Sequence, residues 1–300
     1  NGVGHYLLVL SVVNQIDLTL FLVRLIHLIA NMIDVRAPSL LDEILCRSLS
    51  YLLTCSSRLV YWLSSLIAIE RVYMTVMLNG QWLKKPSTAR RLIVLATLSV
   101  LTIHCYELIF YKAFFDLDTN RGSICVFEYP DPTRSLWSVL HPAIIITNTL
   151  VPFAINFCST VIISVIVVQK KMNTLRSDAT PSTEVKRKVR FRLVVDVLRE
   201  NRELVVGPAI TLIPQSFSLP LLIAGFLVNC ENLENSWLRY LLIVSYWATL
   251  TPQWTSFFLY ISPSSFYFSE WRKTKLARDI YRRFPWTSPV PSTLATVFSG

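Results

Sequence analysis

The segment Cys46–Val76, CRSLSYLLTCSSRLVYWLSSLIAIERVYMTV, decides how the chain is read. It is apolar for most of its length, with a cysteine at its start and Glu70-Arg71 near its end. On a helix rising about 1.5 Å per residue, Cys46 and Arg71 stand roughly 37 Å apart, more than the roughly 30 Å of a bilayer's hydrocarbon. One end of such a helix belongs to each side of a membrane.

Composition points the same way. Hydrophobic residues make up 53% of the 300 and charged residues 16%, a balance that excludes an ordinary soluble domain. Aromatics at 12% and only seven glycines fit long helices rather than a loop-rich or porin-like chain. Six scattered cysteines without a C-x-x-C pair give neither a disulfide scaffold nor a metal knuckle. His5, His27, His104 and His141 lie on different elements, away from any spacing such as H-E-x-x-H. With no glycine-rich phosphate loop either, no enzyme, cofactor or metal is expected.

Further apolar stretches surround the first. Six spans are expected: His5–Met32, Cys46–Val76, Leu92–Phe114, Leu136–Val168, Leu204–Val228 and Trp237–Ile261. Between them lie short polar segments. Ile33–Leu45 reads as a loop. Leu117–Arg134 contains GSICVFEYP, whose β-branched and aromatic residues suit a hairpin. FRLVVDVLRENREL has helical periodicity and extends the fifth span inward.

The charges fix a direction. The segments Leu78–Arg91, Gln169–Glu203 and Phe268–Gly300 hold four, ten and six Lys or Arg. The alternate segments Ile33–Leu45, Leu117–Arg134 and Asn229–Ser236 hold one, two and none. Twenty against three places Arg71 on the cytoplasmic side and Cys46 outside. The net charge of +10 is then a cytoplasmic belt suited to anionic lipid, and nucleic acid is not an expected partner.

With this frame in place, Cys46–Val76 resembles the third helix of a rhodopsin-like (class A) G-protein-coupled receptor. That family separates an outer cysteine from the arginine of an inner acidic-Arg-aromatic triplet by 25 positions, as Cys46 and Arg71 are separated here. The third triplet position is Val72, with Tyr73 one place later. LSVVN resembles the second-helix motif, with Asn14 where the sodium-site aspartate usually stands. NTLVPF, with Pro152, matches the fifth-helix proline, and SPSSF resembles Asn-Pro-x-x-Tyr with Ser262, Pro263 and Phe266 at its key positions. FSEWRKTKLARDIYRRF, Phe268–Phe284, is similar to the amphipathic eighth helix. The Cys-Trp-x-Pro signature and the fourth-helix tryptophan are missing, and either Pro214 or Pro220 stands for the sixth-helix proline.

The resemblance implies an all-α membrane helix bundle over residues 1–284, comprising six of the seven receptor helices and the eighth. The Pro/Ser/Thr-rich residues 285–300 read as a disordered cytoplasmic tail. The chain starts without Met inside an apolar segment, which reads as the loss of a first helix. The implied partners are an extracellular ligand of peptide type, a heterotrimeric G protein and the lipid of the plasma membrane.

Site residues follow from the same resemblance. Cys46 and Cys125 form the disulfide that pins the Leu117–Arg134 loop over the bundle. Glu70, Arg71 and Val72, with Ser262, Pro263 and Phe266, form the switch that couples to the G protein. Asn14 and Asp17 share a face. Asp17 either supplies the missing carboxylate, or both residues merely hydrogen-bond neighbouring helices. Arg24, Leu53, Ser57 and Arg58 are candidates for the ligand, and Leu53 stands where aminergic relatives keep an aspartate. Arg24 and Arg58 either pair with Glu107 or an acidic ligand group such as a peptide C-terminus, or serve an internal structural pair such as Arg58 with Glu107. Cys55, Cys105 and Cys158 read as small apolar packers and Cys230 as a loop residue. Two alternatives remain open: a six-span transporter or channel, although no internal repeat is visible, and a receptor relative that has lost signalling, since Asn14, Val72 and Ser262 erode the switch.

Overall fold

The computed structural model describes residues 2–33, 40–77, 85–116, 121–129 and 133–178, with positions 212, 215, 216, 244, 273 and 278 beyond them. Of these residues 91% are helical. The elements run α1 (Gly2–Ile33), α2 (Leu40–Val76), α3 (Pro86–Ile103), α4 (Glu107–Phe110), β1 (Tyr111–Asp116), β2 (Arg121–Phe127) and α5 (Arg134–Asp178). Four of the described helical stretches are long and apolar enough to cross a membrane: Gly4–His27, Leu40–Val76, Pro86–Phe110 and Arg134–Lys170. They match the first four expected spans and make a multi-pass membrane protein the fitting class. The expected spans Leu204–Val228 and Trp237–Ile261, the amphipathic Phe268–Phe284 stretch and the 285–300 tail lie outside the described residues, apart from those isolated positions.

Several boundaries differ from expectation. Helix α2 starts at Leu40, inside the expected Ile33–Leu45 loop, and carries Asp42 and Glu43 in its first turn. Carboxylates there face the positive end of the helix dipole, which favours six more helical residues. Glu43 also pairs with Arg47 one turn on. The Leu92–Phe114 span is not one helix. It ends at Ile103, turns through His104–Tyr106 into the single turn of α4, and becomes strand at Tyr111. Helix α3 begins early, at Pro86, because proline suits the first helical position, where its missing N–H costs no bond. Helix α5 runs to Asp178, ten residues into the charged segment that follows Val168.

The packing follows from a few ties along each helix. Helices α1 and α2 are antiparallel: His27 and Asp42 meet at 3.1 Å at one end, Ser57 reaches Asp17 midway, and Tyr6 faces Glu70 at the other end. Tyr51 Oη donates to the Leu101 carbonyl at 3.0 Å, while Ala89 and Ile93 join Leu63 and Ile67 in the core, so α3 is also antiparallel to α2. Helix α5 runs parallel to α2, because Arg58 meets Thr149 and, further on, Thr75 meets Lys170. The core comprises Tyr6, Leu10, Val13, Leu59, Val60, Leu63, Ile67, Ala89 and Ile93. The outward faces of α1 and α3 stay apolar, with Leu22, Ile26, Leu95 and Leu98 exposed, as lipid-facing helices require.

At the Leu40 end of α2, β1 and β2 form an antiparallel hairpin in which Ala113 pairs with Cys125 and Tyr111 with Phe127. This departs from an all-α fold; β2 overlaps the expected GSICVFEYP segment, whereas β1 comes from the end of the expected Leu92–Phe114 span. Lys112 and Glu128 pair at 2.8 Å on its exposed face, a bond of small weight in solvent.

Leu63 is wholly buried between α1, α2 and α3, whereas Leu95 is 62% exposed. Leu63→Ala should lower unfolding stability by about 2–5 kcal/mol, and Leu95→Ala by less than about 0.5 kcal/mol. Thermal unfolding in lipid nanodiscs measures both.

Candidate functional site

Cys46 is buried in α2, and Cys125 sits midway along β2. The two stand at disulfide distance with Cα atoms 5.6 Å apart, across 79 residues of sequence. Ser50 Oγ lies 3.6 Å from the Cys125 sulfur, one turn along α2. The hairpin is thereby held against the end of the bundle.

Rings hold it from the other side. Phe127 stacks on His141 of α5 with centroids 4.2 Å apart, and Tyr106 lies 5.1 Å from Trp137. Phe110, Tyr111 and Tyr129 complete the cluster around Phe127. Burial pushes the Tyr129 phenol above its ordinary pKa, so it stays protonated. Edge-to-face pairs of this kind add about 0.5–1.5 kcal/mol each beyond the area they bury. The sequence reading had marked the loop's aromatics, but not Trp137 and His141 as the surface that receives them.

The polar core lies one layer deeper. Asp17 is fully buried on α1 and accepts hydrogen bonds from Ser56 and from Ser57, the latter at 3.1 and 3.2 Å to its two oxygens. Asn14, one turn away, is buried too, and its Oδ1 has no hydrogen bond among the described residues. Asp17 therefore ties α1 to α2, and Ser57 spends its hydroxyl on that tie. Leu53 is half-buried in α2, and its carbonyl accepts from Ser56 at 3.1 Å. Arg24 is half-buried on α1.

Of the alternatives expected for Arg58, the pair with Glu107 is not formed among the described residues. Arg58 Nη1 donates to Thr149 Oγ1 of α5 at 2.6 Å. Glu107, only 1% exposed, binds His104 Nδ1 at 2.8 Å instead. The two partners of that pair are three residues apart across one turn, so no other helix has to be brought into place for them to meet.

Sequence reasoning missed a second buried chain of bonds along α2 and α5. Trp62 Nε1 donates to Asn148 Oδ1 at 3.0 Å. Ser65 Oγ lies within bonding distance of the carbonyls of Tyr61, at 3.0 Å, and Pro152, at 3.1 Å. Asn156 Nδ2 donates to Ser65 Oγ and to Gln215 Oε1, each at 3.1 Å. A signal was present: Asn148, Thr149, Pro152, Asn156 and Ser159 recur at helical spacing inside an otherwise apolar run. In a membrane helix such a stripe marks the face that meets its neighbours.

At the far end of α2, Glu70 is 1% exposed, while Arg71 and Val72 are half-buried. Lys85, Arg90 and Arg91 are exposed at the same end, and Lys170 Nζ donates to the Thr75 carbonyl at 3.0 Å. Ser262, Pro263 and Phe266 lie outside the described residues, as do Pro214, Pro220 and Cys230. Of the remaining cysteines, Cys55 is buried as expected, but Cys105 and Cys158 are exposed on the perimeter rather than packed inside.

No protein-family model matches the chain, and no curated protein matches it.

Removing the tether has a defined cost. Alkylation of the denatured chain before and after reduction should differ by two thiols, and Cys125→Ser should abolish that difference. The same substitution should lower stability by about 2–5 kcal/mol in thermal unfolding.

Proposed function

We propose that this chain is the helix bundle of a rhodopsin-like G-protein-coupled receptor, which carries an extracellular signal, of peptide type, to a heterotrimeric G protein at the plasma membrane. One observation carries the reading: α2 bears the tethered Cys46 at one end and the buried Glu70, with Arg71, at the other, inside a multi-helix apolar bundle. Among the described residues, the exposed cations Lys85, Arg90, Arg91 and Lys170 lie at the Arg71 end against Lys112 and Arg134 at the hairpin end, a balance in line with an inside-positive orientation. The hairpin at the opposite end would then face the ligand.

The mechanism is a two-state one. Glu70 and Arg71 hold the inner ends of the helices together in the resting state, and Arg71 turns towards the other helices as the inner end opens. A ligand at the outer end shifts that equilibrium only by its differential affinity for the two states. Asp17 ties α1 to α2 through Ser56 and Ser57.

Two measurements test this. In cell membranes, basal nucleotide exchange on a heterotrimeric G protein should exceed background and fall to background in Arg71→Ala. Exchange that is equal in the two would sink the switch, and no exchange from surface-expressed protein would favour a receptor relative that no longer signals. For orientation, a membrane-impermeant maleimide should label Leu136→Cys on intact cells, and Val76→Cys only after permeabilisation. The reverse pattern would place Arg71 outside and end the reading.

A further inference from the structure

Arg58 lies well inside α2, 18 residues from its first residue and 18 from its last. A guanidinium carries five N–H donors in a planar fork and stays charged. Arg58 uses one nitrogen, Nη1, to donate to Thr149 Oγ1. Among the described residues it has no second hydrogen bond and no carboxylate within ion-pair distance. The nearest acid, Glu107, is turned to His104. Thr149 has little more to offer, because its hydroxyl also bonds the Ile145 carbonyl at 2.8 Å.

An arginine in this position is expensive. A cation withdrawn from water needs an opposite charge or a full set of acceptors, and a neutral hydroxyl supplies neither. The residue is nevertheless only half-buried. Around it stand tyrosines and a tryptophan: Tyr61 and Trp62 on α2, and Tyr106 across the bundle. Trp62 is held by Asn148 and Tyr106 by His141, so these rings are already oriented.

We infer that Arg58 is the anchor for a carboxylate on the ligand, received in a bidentate pair with the free edge of the guanidinium, with aromatic surface beside it for an apolar group. The chemistry required is a terminal carboxylic acid next to an aromatic or large apolar side chain. A peptide's free C-terminus and a free arylalkanoic acid both have it, whereas an amidated peptide and an amine do not. The inference rests on the receptor reading for its biological sense, but the binding itself does not depend on signalling.

The test is therefore binding. The full chain in phosphatidylcholine nanodiscs is unfolded thermally with N-acetylphenylalanine, with 3-phenylpropionate, and with the primary amide of each. The expected result is a saturable upward shift in Tm of a few degrees with an acid and none with its amide. A shift with N-acetylphenylalanine alone assigns the site to a peptide terminus; a shift with 3-phenylpropionate as well assigns it to carboxylic acids at large. Arg58→Gln should abolish the shift and Arg58→Lys should weaken it, since an ammonium lacks the fork. Equal shifts with acids and amides, no shift with either acid, or a shift that survives in Arg58→Gln would each overturn the inference. The comparison of acid with amide needs only the wild-type chain, so it stands even where Arg58→Gln fails to fold. Binding without nucleotide exchange would keep the anchor and reject the receptor reading.

Discussion

A polar side chain inside an apolar helix bundle has no water to return to, so it must find its partner on a neighbouring helix, and that demand sets the register of this structure. Apolar contacts alone would leave the register loose, because lipid tails offer a leucine nearly the same surroundings as another helix does. Asp17 fits only where Ser56 and Ser57 reach it, and Asn156 only where Ser65 and Gln215 do. Each interhelical hydrogen bond is worth about 0.6 kcal/mol on average and seldom more than about 1.7 kcal/mol. Such bonds select one alignment among many of similar packing energy rather than supplying most of the stability. The α2 helix carries partners for both neighbours: Ser56 and Ser57 for α1, and Arg58, Trp62 and Ser65 for α5.

The two ends of the bundle are held differently. At the hairpin end, the Cys46–Cys125 tether, the stacked Phe127–His141 pair and the rings of Tyr106 and Trp137 join α2, α4, β2 and α5. Towards the Arg71 end, one described tie between α2 and α5 is the exposed Lys170 donating to the Thr75 carbonyl, a bond that water competes for. Buried Glu70 is flanked by charge and by Tyr6 rather than by interlocked rings. Towards the Arg71 end the described helices are joined by apolar packing instead, with Leu63 and Ile67 of α2 against Tyr6 and Leu10 of α1 and Ala89 and Ile93 of α3.

The four long helices were legible in the sequence, because length and apolar run are local or additive signals, whereas the Cys46–Cys125 pair was expected only from the family resemblance. The start of α2 was not legible. Asp42 and Glu43 look like loop residues until their place in a first helical turn gives them a dipole to complement. The end of α3 at Ile103 was hidden as well, since LTIHCYELIF continues an apolar run without proline or glycine. The turn at His104 is set by the buried His104–Glu107 pair and by Tyr106 joining the ring cluster, and neither is visible without the partner elements. The Asn156 network was recoverable from the polar stripe on α5, but the identity of its partners was not. The switch residues Ser262, Pro263 and Phe266 fall on a part of the chain that is not among the described residues.

The separation of Arg58 from Glu107 ties these threads together. On charge alone the two should meet, and a reading that matches intramembrane acids to intramembrane bases pairs them. Glu107, however, has an imidazole three residues away, while Arg58 is on another helix. Closing the nearer contact orders one turn that the chain must form anyway to reach β1. Glu107 is thus committed to His104, and Arg58 bonds Thr149 through one of its donors.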